Sequence, residues 1–248
     1  MSGQTDIVLV LGSGPNAVAA RDWPKADFDR IVAINNAWRL RDDWDDIVYP
    51  EDFPKDRRPA NIPQDQRAIE AAAFVPAQNA FGGFVFAGGT MAFTAGYWAL
   101  HALRPKVMAF LGCDMVYPTE GPTHYYGTGT ADPLRDDISL RSLEAKSARL
   151  GLLAASQGCA CVNLSQDESR LLFPRARLQD LRLITSPVAV AGIDALRADE
   201  DALGYAVPSG RYWEEESRFD TSALDQLDQR WCDLWDNTGI RFANEVAA

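Results

Sequence analysis

His124 lies in a loop rich in glycine, proline, threonine and tyrosine, with Tyr117, Tyr125 and Tyr126 close to it in sequence. A loop imidazole with a near-neutral pKa is a ready acid–base group; the plainer alternative is a solvent-exposed loop residue. Asp114 follows an apolar run ending in Gly112. Strand ends of α/β proteins present catalytic or ribose-binding carboxylates at such positions, although a turn or helix cap would also account for it. Asn35 and Asn36 close another apolar run. A carboxamide carries both a donor and an acceptor, so it can read a base edge or a ribose without adding charge beside a phosphate; an Asx-turn is the rival explanation. Gly12-Ser13-Gly14-Pro15-Asn16-Ala17 follows the first apolar run. Glycines there permit a tight turn and let a phosphate or ribose approach the amides of a helix start. Thr119, Thr123, Thr128 and Thr130 add hydroxyls that could contact a sugar.

Other chemistry-bearing residues read as structural. His101 sits inside an apolar helical stretch and is expected to be a core or helix-end residue. Asp27-Phe28-Asp29 mimics a metal-binding Asp-x-Asp but precedes a strand instead of following one, so a turn is expected. The Asp42-Asp43-Trp44-Asp45-Asp46 run reads most simply as a solvated turn. Cys113, Cys159, Cys161 and Cys232 have no zinc or disulfide spacing and are expected to be reduced core residues of a cytoplasmic protein. No metal site is expected.

The elements that must carry these residues are legible as alternating runs. Strands are predicted at Ile7–Leu11, Arg30–Ile34, Asp46–Tyr49, Lys106–Leu111 and Cys159–Leu164. Apolar runs without alternation belong to strands buried on both faces, as in a parallel sheet. A short helix is predicted from Asn16 to Asp22, a buried one from Thr90 to Leu103 after Gly88-Gly89, and an amphipathic one from Ser139 to Gln157 closed by Gly158. The pattern predicts an α/β fold, a doubly wound and mostly parallel Rossmann-like sheet. Residues 174–220 mix proline, glycine and charge with little periodicity, and Asp220 caps a final helix carrying Leu224, Leu227, Trp231, Leu234 and Trp235. We therefore expect a nucleotide-binding core over 1–173 and a small C-terminal appendage or lid over 174–248.

Length and charge set the outer bounds. At 248 residues the chain can bury a core without a metal or disulfide staple. The 24 Lys+Arg against 35 Asp+Glu leave a net charge of −11, which opposes binding to nucleic acid or anionic lipid. Its first residues lack a basic region followed by an apolar run, so neither a signal peptide nor a membrane span is expected. Self-association, including a homo-oligomer, is left open.

A dinucleotide oxidoreductase holding FAD or NAD is the first candidate for a glycine turn after strand one. Such folds want a full helix after the turn and an acidic residue ending the second strand. Here Pro24 limits the helix, and the strand ends in Asn35-Asn36. That reading becomes an alternative.

Four local patterns, in order, resemble the bacterial sialyltransferases of glycosyltransferase family 42 over about residues 6–173. Gly12-Ser13-Gly14-Pro15-Asn16 is similar to the family's Gly-Asn-Gly-Pro-Ser turn, and Ile34-Asn35-Asn36 to its Cys-Asn-Gln strand end. Gly89-Thr90 and Phe110-Leu111-Gly112-Cys113-Asp114 are similar to its Ser-Gly helix start and Leu-Ser-Gly-Ile-Asp strand end. His124-Tyr125-Tyr126-Gly127 is similar to its His-Tyr-x-Gly-His segment. The resemblance implies a sialyltransferase-like fold and a CMP-sugar donor held by Gly12, Ser13, Gly14, Pro15, Asn16, Asn35, Asn36, Gly89, Thr90, Gly112 and Asp114. It implies metal-independent transfer to a glycan acceptor with no cofactor, the leaving phosphate being steadied by Tyr117, Tyr125 and Tyr126. The family's base stands where this chain has Thr128, whose hydroxyl cannot act as a base at neutral pH. The stretch between Asp114 and His124 is also shorter than the family's donor-covering lid. His124 is then the remaining base, and a non-catalytic nucleotide-binding or interaction protein is the rival reading.

Overall fold

The computed structural model describes residues 6–129, 135–185 and 190–238. Six parallel strands form one sheet: β1 (Ile7–Leu11), β2 (Arg30–Ile34), β3 (Asp46–Val48), β4 (Arg67–Ile69), β5 (Val107–Leu111) and β6 (Ala160–Asn163), in the order β4-β3-β2-β1-β5-β6. The chain moves outward from β1 through β4, then returns to pair β5 on the other side of β1. The strand order therefore reverses between β1 and β5, and a crevice opens at their carboxyl ends.

Alternation along the strands divides the core. Val8, Val10, Val32, Ile34, Met108 and Phe110 face one side, while Leu9, Leu11, Ile31, Ala33, Ala109 and Leu111 face the other. The first side is covered by six helices: α1 (Ala71–Asn79), α2 (Phe84–Ala87), α3 (Met91–Ala102), α4 (Leu143–Ser156), α5 (Ile193–Leu203) and α6 (Thr221–Thr238). The second is covered by short 3-10 segments, including Pro15–Asp22 and Asn35–Leu40. The expected helix after the glycine turn is thus a 3-10 helix, with Pro24 just beyond it.

Local chemistry sets the helix ends. Thr90 caps α3 by accepting from Phe93 N–H at 3.2 Å, and Ser142 caps α4 by accepting from Ala145 N–H at 3.1 Å. Asp220 does the same for α6 through Ser222 N–H at 2.8 Å. Gly158, at φ 75°, ends the α4 region in the left-handed conformation a glycine accepts freely.

Three features differ from the sequence reading. β4, α1, α2 and α5 were not expected; β4 is three residues long, α2 four, and α5 lies in the stretch that lacks clear periodicity. The aspartate run is not a solvated turn. Asp46 is fully buried between the guanidinium groups of Arg30 (2.9 Å) and Arg67 (2.8 Å), Asp45 accepts from Ile31 N–H at 2.6 Å, and Asp43 is gripped by Arg41 at 2.6 and 2.7 Å. The neighbouring strands β2 and β4 bring Arg30 and Arg67, distant in sequence, to Asp46, which a local reading cannot anticipate. Finally, the described C-terminal residues join the main core: Ile193, Leu196, Tyr205, Val207, Leu227 and Trp231 belong to the same apolar cluster as Phe93 and Leu150. His101, by contrast, is an exposed helix-end residue, as expected. Among the described residues no helix is long and apolar enough to cross a membrane.

Candidate functional site

A cleft of about 540 Å³ sits at the carboxyl edge of the sheet, over the point where strand order reverses. Gly12 to Asn16 line it from the β1 turn, and Ile34, Asn35 and Asn36 from the end of β2. Gly112 to Tyr117 follow β5, and Thr123, His124, Tyr126 and Gly129 come from the loop beyond. The sequence-predicted residues Gly12, Ser13, Gly14, Pro15, Asn16, Asn35, Asn36, Gly112, Asp114, Tyr117, His124 and Tyr126 are thereby brought together.

Gly89, Thr90 and Tyr125 are not cleft-lining residues. Gly89 N–H donates to Ser139 Oγ at 3.1 Å, and a Cβ there would stand 2.8 Å from the Tyr212 hydroxyl. The Thr90 hydroxyl serves as a helix cap, so Met91 and Ala92 supply the α3 surface of the cleft. Tyr125 donates its hydroxyl to Asn36 O at 2.6 Å, while its N–H donates to Ser13 O at 3.0 Å. It ties the histidine loop to both β1 and β2, and burial raises its pKa so that the phenol stays protonated. Among the other threonines, Thr128 is exposed with its hydroxyl 3.4 Å from Gly121 O, and Thr130 lies outside the described residues.

The glycine turn is explained first by backbone packing. Gly12 N–H donates to Leu111 O at 2.8 Å and Gly14 N–H to Gly112 O at 2.9 Å. A Cβ on Gly12 would lie 2.2 Å from Gly112 O, and Gly112 itself has φ 71°. Side chains at 12 and 112 would separate the two loops that flank the crevice.

Carboxamides dominate the floor. Asn16 Nδ2 reaches Asp114 Oδ2 at 2.7 Å, Ser165 Oγ at 2.8 Å and Asp167 Oδ2 at 2.9 Å. Two carboxylates at those distances fix which end of the amide is nitrogen, so its Oδ1 faces away from them. Asn163 orients Asp114 from behind, donating to Oδ1 at 3.1 Å. The buried Oδ1 atoms of Asn16, Asn35 and Asn36 have no hydrogen-bond partner. Asn36 is only 5% exposed. Asn35 holds φ 51°, a left-handed conformation that asparagine tolerates better than most side chains. Unpaired buried acceptors are destabilising; three of them belong to residues that line this one cleft, and Gln78, Asn79, Thr94 and Asp228 carry other unpartnered atoms elsewhere.

His124 Nδ1 lies 2.8 Å from Thr123 Oγ1, which also accepts from Gly129 N–H at 2.8 Å and lies 3.3 Å from Gly129 O. If the hydroxyl donates to Gly129 O, it accepts from Nδ1–H and leaves a lone pair on Nε2. Burial lowers the His124 pKa, favouring the neutral ring. Tyr126 stacks on it with ring centroids 5.0 Å apart.

Two walls were missed by sequence reasoning. Pro50, Asp52, Phe53, Pro54 and Arg57 come from the β3–β4 loop, and Asp167 and Glu168 follow β6. Neither segment carries a recognisable motif; their signal was positional, since each follows a strand and so must emerge at the carboxyl edge. No described residue after Glu168 lines the cleft, so the C-terminal segment is not seen as its lid. Compared with known proteins, the chain matches no family model, no curated protein and no solved structure.

Proposed function

We propose that the cleft binds a nucleotide-sugar, with a CMP-activated sugar as the donor, and that the protein is a metal-independent glycosyltransferase of the sialyltransferase-like kind. The observation that carries this reading is the set of unpaired carboxamide oxygens on Asn16, Asn35 and Asn36 at the strand-order reversal. A pyrimidine amino group and ribose or sugar hydroxyls are the donors such oxygens accept from. Asp114, held by Asn16 and Asn163, is placed to accept from a ribose hydroxyl.

In this reading His124 Nε2 removes the proton of an acceptor hydroxyl. The acceptor oxygen forms a bond to the anomeric carbon as the bond from that carbon to the phosphate oxygen breaks, and CMP leaves with the electron pair. Tyr117 and Tyr126, both lining the cleft, would steady the leaving phosphate, while the Tyr125 hydroxyl is committed to Asn36 O. The acceptor is a glycan hydroxyl.

A second reading, a non-catalytic nucleotide binder or interaction protein, is favoured by the exposed Thr128 at the position of the family's base. An oxidoreductase with FAD or NAD is disfavoured by the amide pair ending β2 and by the bonding of the Gly12 and Gly14 amides to the β5 loop. Thermal shift with CMP, CDP, UDP, NAD and FAD separates the three. Stabilisation by CMP alone supports the donor, a response to a dinucleotide supports a redox enzyme, and silence leaves an interaction module. Hydrolysis of CMP-sialic acid that vanishes in His124→Ala then makes the protein an enzyme; unchanged turnover removes His124 from the mechanism.

A further inference from the structure

We infer that Arg57 receives the negative charge of the bound ligand and so fixes which way round it lies; where that charge is a nucleotide phosphate, the inference rests on the nucleotide reading above. The glycine turn, where a phosphate would ordinarily be sought, is poorly placed to take it. Gly12 and Gly14 give their N–H groups to the β5 loop, and Pro15 has none. An anion needs another partner.

The cleft offers a clear one. Its described lining bears the carboxylates of Asp52, Asp114, Asp167 and Glu168, and the one lysine or arginine among those residues is Arg57. Neighbouring guanidinium groups are committed elsewhere. Arg58 donates to Phe53 O at 2.8 Å and Glu51 O at 2.7 Å, and lies over the Tyr49 ring. Arg39 reaches Asp56 O at 3.4 Å, and Arg41 pairs with Asp43. Arg175, 4.0 Å from Asp114, donates to Ser165 O and Asp167 O at 2.6 Å each. The Arg57 guanidinium makes no hydrogen bond or ion pair with any described residue.

Its backbone is nevertheless held firmly. Arg57 N–H donates to Pro54 O at 3.0 Å, and its carbonyl accepts from Trp38 Nε1 at 3.0 Å. The two Arg58 bonds stiffen the same turn. A planar fork of donors therefore projects from a fixed loop on the β3 side, while Asp114, Asp167 and Glu168 repel anions from the β5–β6 side. A ligand settles with its phosphate or carboxylate at Arg57 and its hydroxyl or amino donors toward the carboxamide oxygens.

The test is calorimetric titration at low ionic strength on the wild type, Arg57→Gln, Arg57→Lys and Lys106→Gln, the last removing an equal charge at the opposite edge of the sheet. The probes are CMP, cytidine, pyrophosphate and N-acetylneuraminate. Loss of a charge-assisted bond is expected to weaken CMP about tenfold or more in Arg57→Gln, with cytidine unchanged and Arg57→Lys intermediate. Lys106→Gln should bind like the wild type. The inference is overturned if the Gln variant keeps wild-type affinity for every anion, if it loses cytidine and CMP alike, or if no anion binds the wild type. Should cytidine and CMP both fail while pyrophosphate or N-acetylneuraminate binds through Arg57, the inference stands and the nucleotide reading falls.

Discussion

Two polar clusters in this molecule follow opposite rules. Behind the sheet, Arg149 and Glu200 are each 1% exposed, and each donor and acceptor in the cluster finds a partner. Glu200 takes bonds from Arg149 Nε at 2.6 Å and Nη2 at 2.7 Å, from Arg197 at 2.8 Å and from Trp231 Nε1 at 3.0 Å. Arg149 also donates to the Tyr97 hydroxyl at 2.7 Å and to Phe81 O. Burial pushes the Tyr97 phenol up to about 12, so it remains protonated. At the carboxyl edge, three asparagine oxygens are equally hidden from water and have no partner at all. A completed network locks α4 to α5 and α6; the carboxamide set at the cleft is left incomplete within the described residues. Unpartnered atoms also occur away from the cleft, at Gln78 Oε1, Asn79 Oδ1, Thr94 Oγ1 and Asp228 Oδ2, so what distinguishes the cleft is that three carboxamides gather at one strand-order reversal.

The largest effect is expected from breaking the completed cluster. Glu200→Ala leaves a buried guanidinium without its carboxylate and should lower stability by about 3–5 kcal/mol in denaturant titration. A loss below about 1 kcal/mol would mean the network is not what docks the C-terminal helices.

Next comes the packing of the two crevice loops. Gly12→Ala places a methyl 2.2 Å from a backbone carbonyl that has no side-chain freedom to yield. We expect destabilisation of about 1–3 kcal/mol by thermal or chemical melting. Wild-type stability in this variant would show that the loops part easily, and would reopen the turn amides to a ligand.

The carboxamide set should behave in the reverse way. Asn36→Leu removes an unpaired buried acceptor, so the ligand-free protein should change in stability by less than about 1 kcal/mol. Stabilisation by CMP should disappear in the same variant. A large loss of stability without ligand would assign Asn36 to the scaffold and erase the contrast.

The smallest effect concerns pH. The His124 pKa lies below its ordinary value of 6.5 because burial penalises the charged ring. Protons then bind the unfolded chain more readily, so the stability contribution is full above pH 6.5 and is lost as the pH falls toward the folded value. Proton NMR should place the His124 midpoint below that of a free imidazole, and His124→Gln should flatten the stability profile on the acid side. A midpoint at or above 6.5 would contradict the burial assigned to this ring.

Much of this was legible in one dimension. Unbroken apolar runs identified β1, β2, β3, β5 and β6 and their parallel arrangement, because strands covered on both faces admit few polar side chains. Thr90 and Asp220 could be read as helix starts from capping chemistry, which acts over three residues, whereas α4 begins at Leu143 under a Ser142 cap and not at Ser139 as expected. The rest depended on distance in sequence. β4 is too short to show a pattern, and Arg67 becomes meaningful only beside Asp46 on the next strand. Arg57, Asp167 and Glu168 carry no motif, and they reach the cleft because their loops leave the same edge of the sheet.

The sequence alone therefore determined the layering, the strand direction and the edge at which chemistry gathers, since these follow from periodicity and local bonding. Only the tertiary structure decided which polar groups were already satisfied. It consumed the amides of Gly12 and Gly14, turned Tyr125 into a tether, and left Asn16, Asn35 and Asn36 with bare oxygens. A hydrogen bond needs two partners brought within about 3 Å, and the identity of the second is fixed by packing, not by neighbours along the chain.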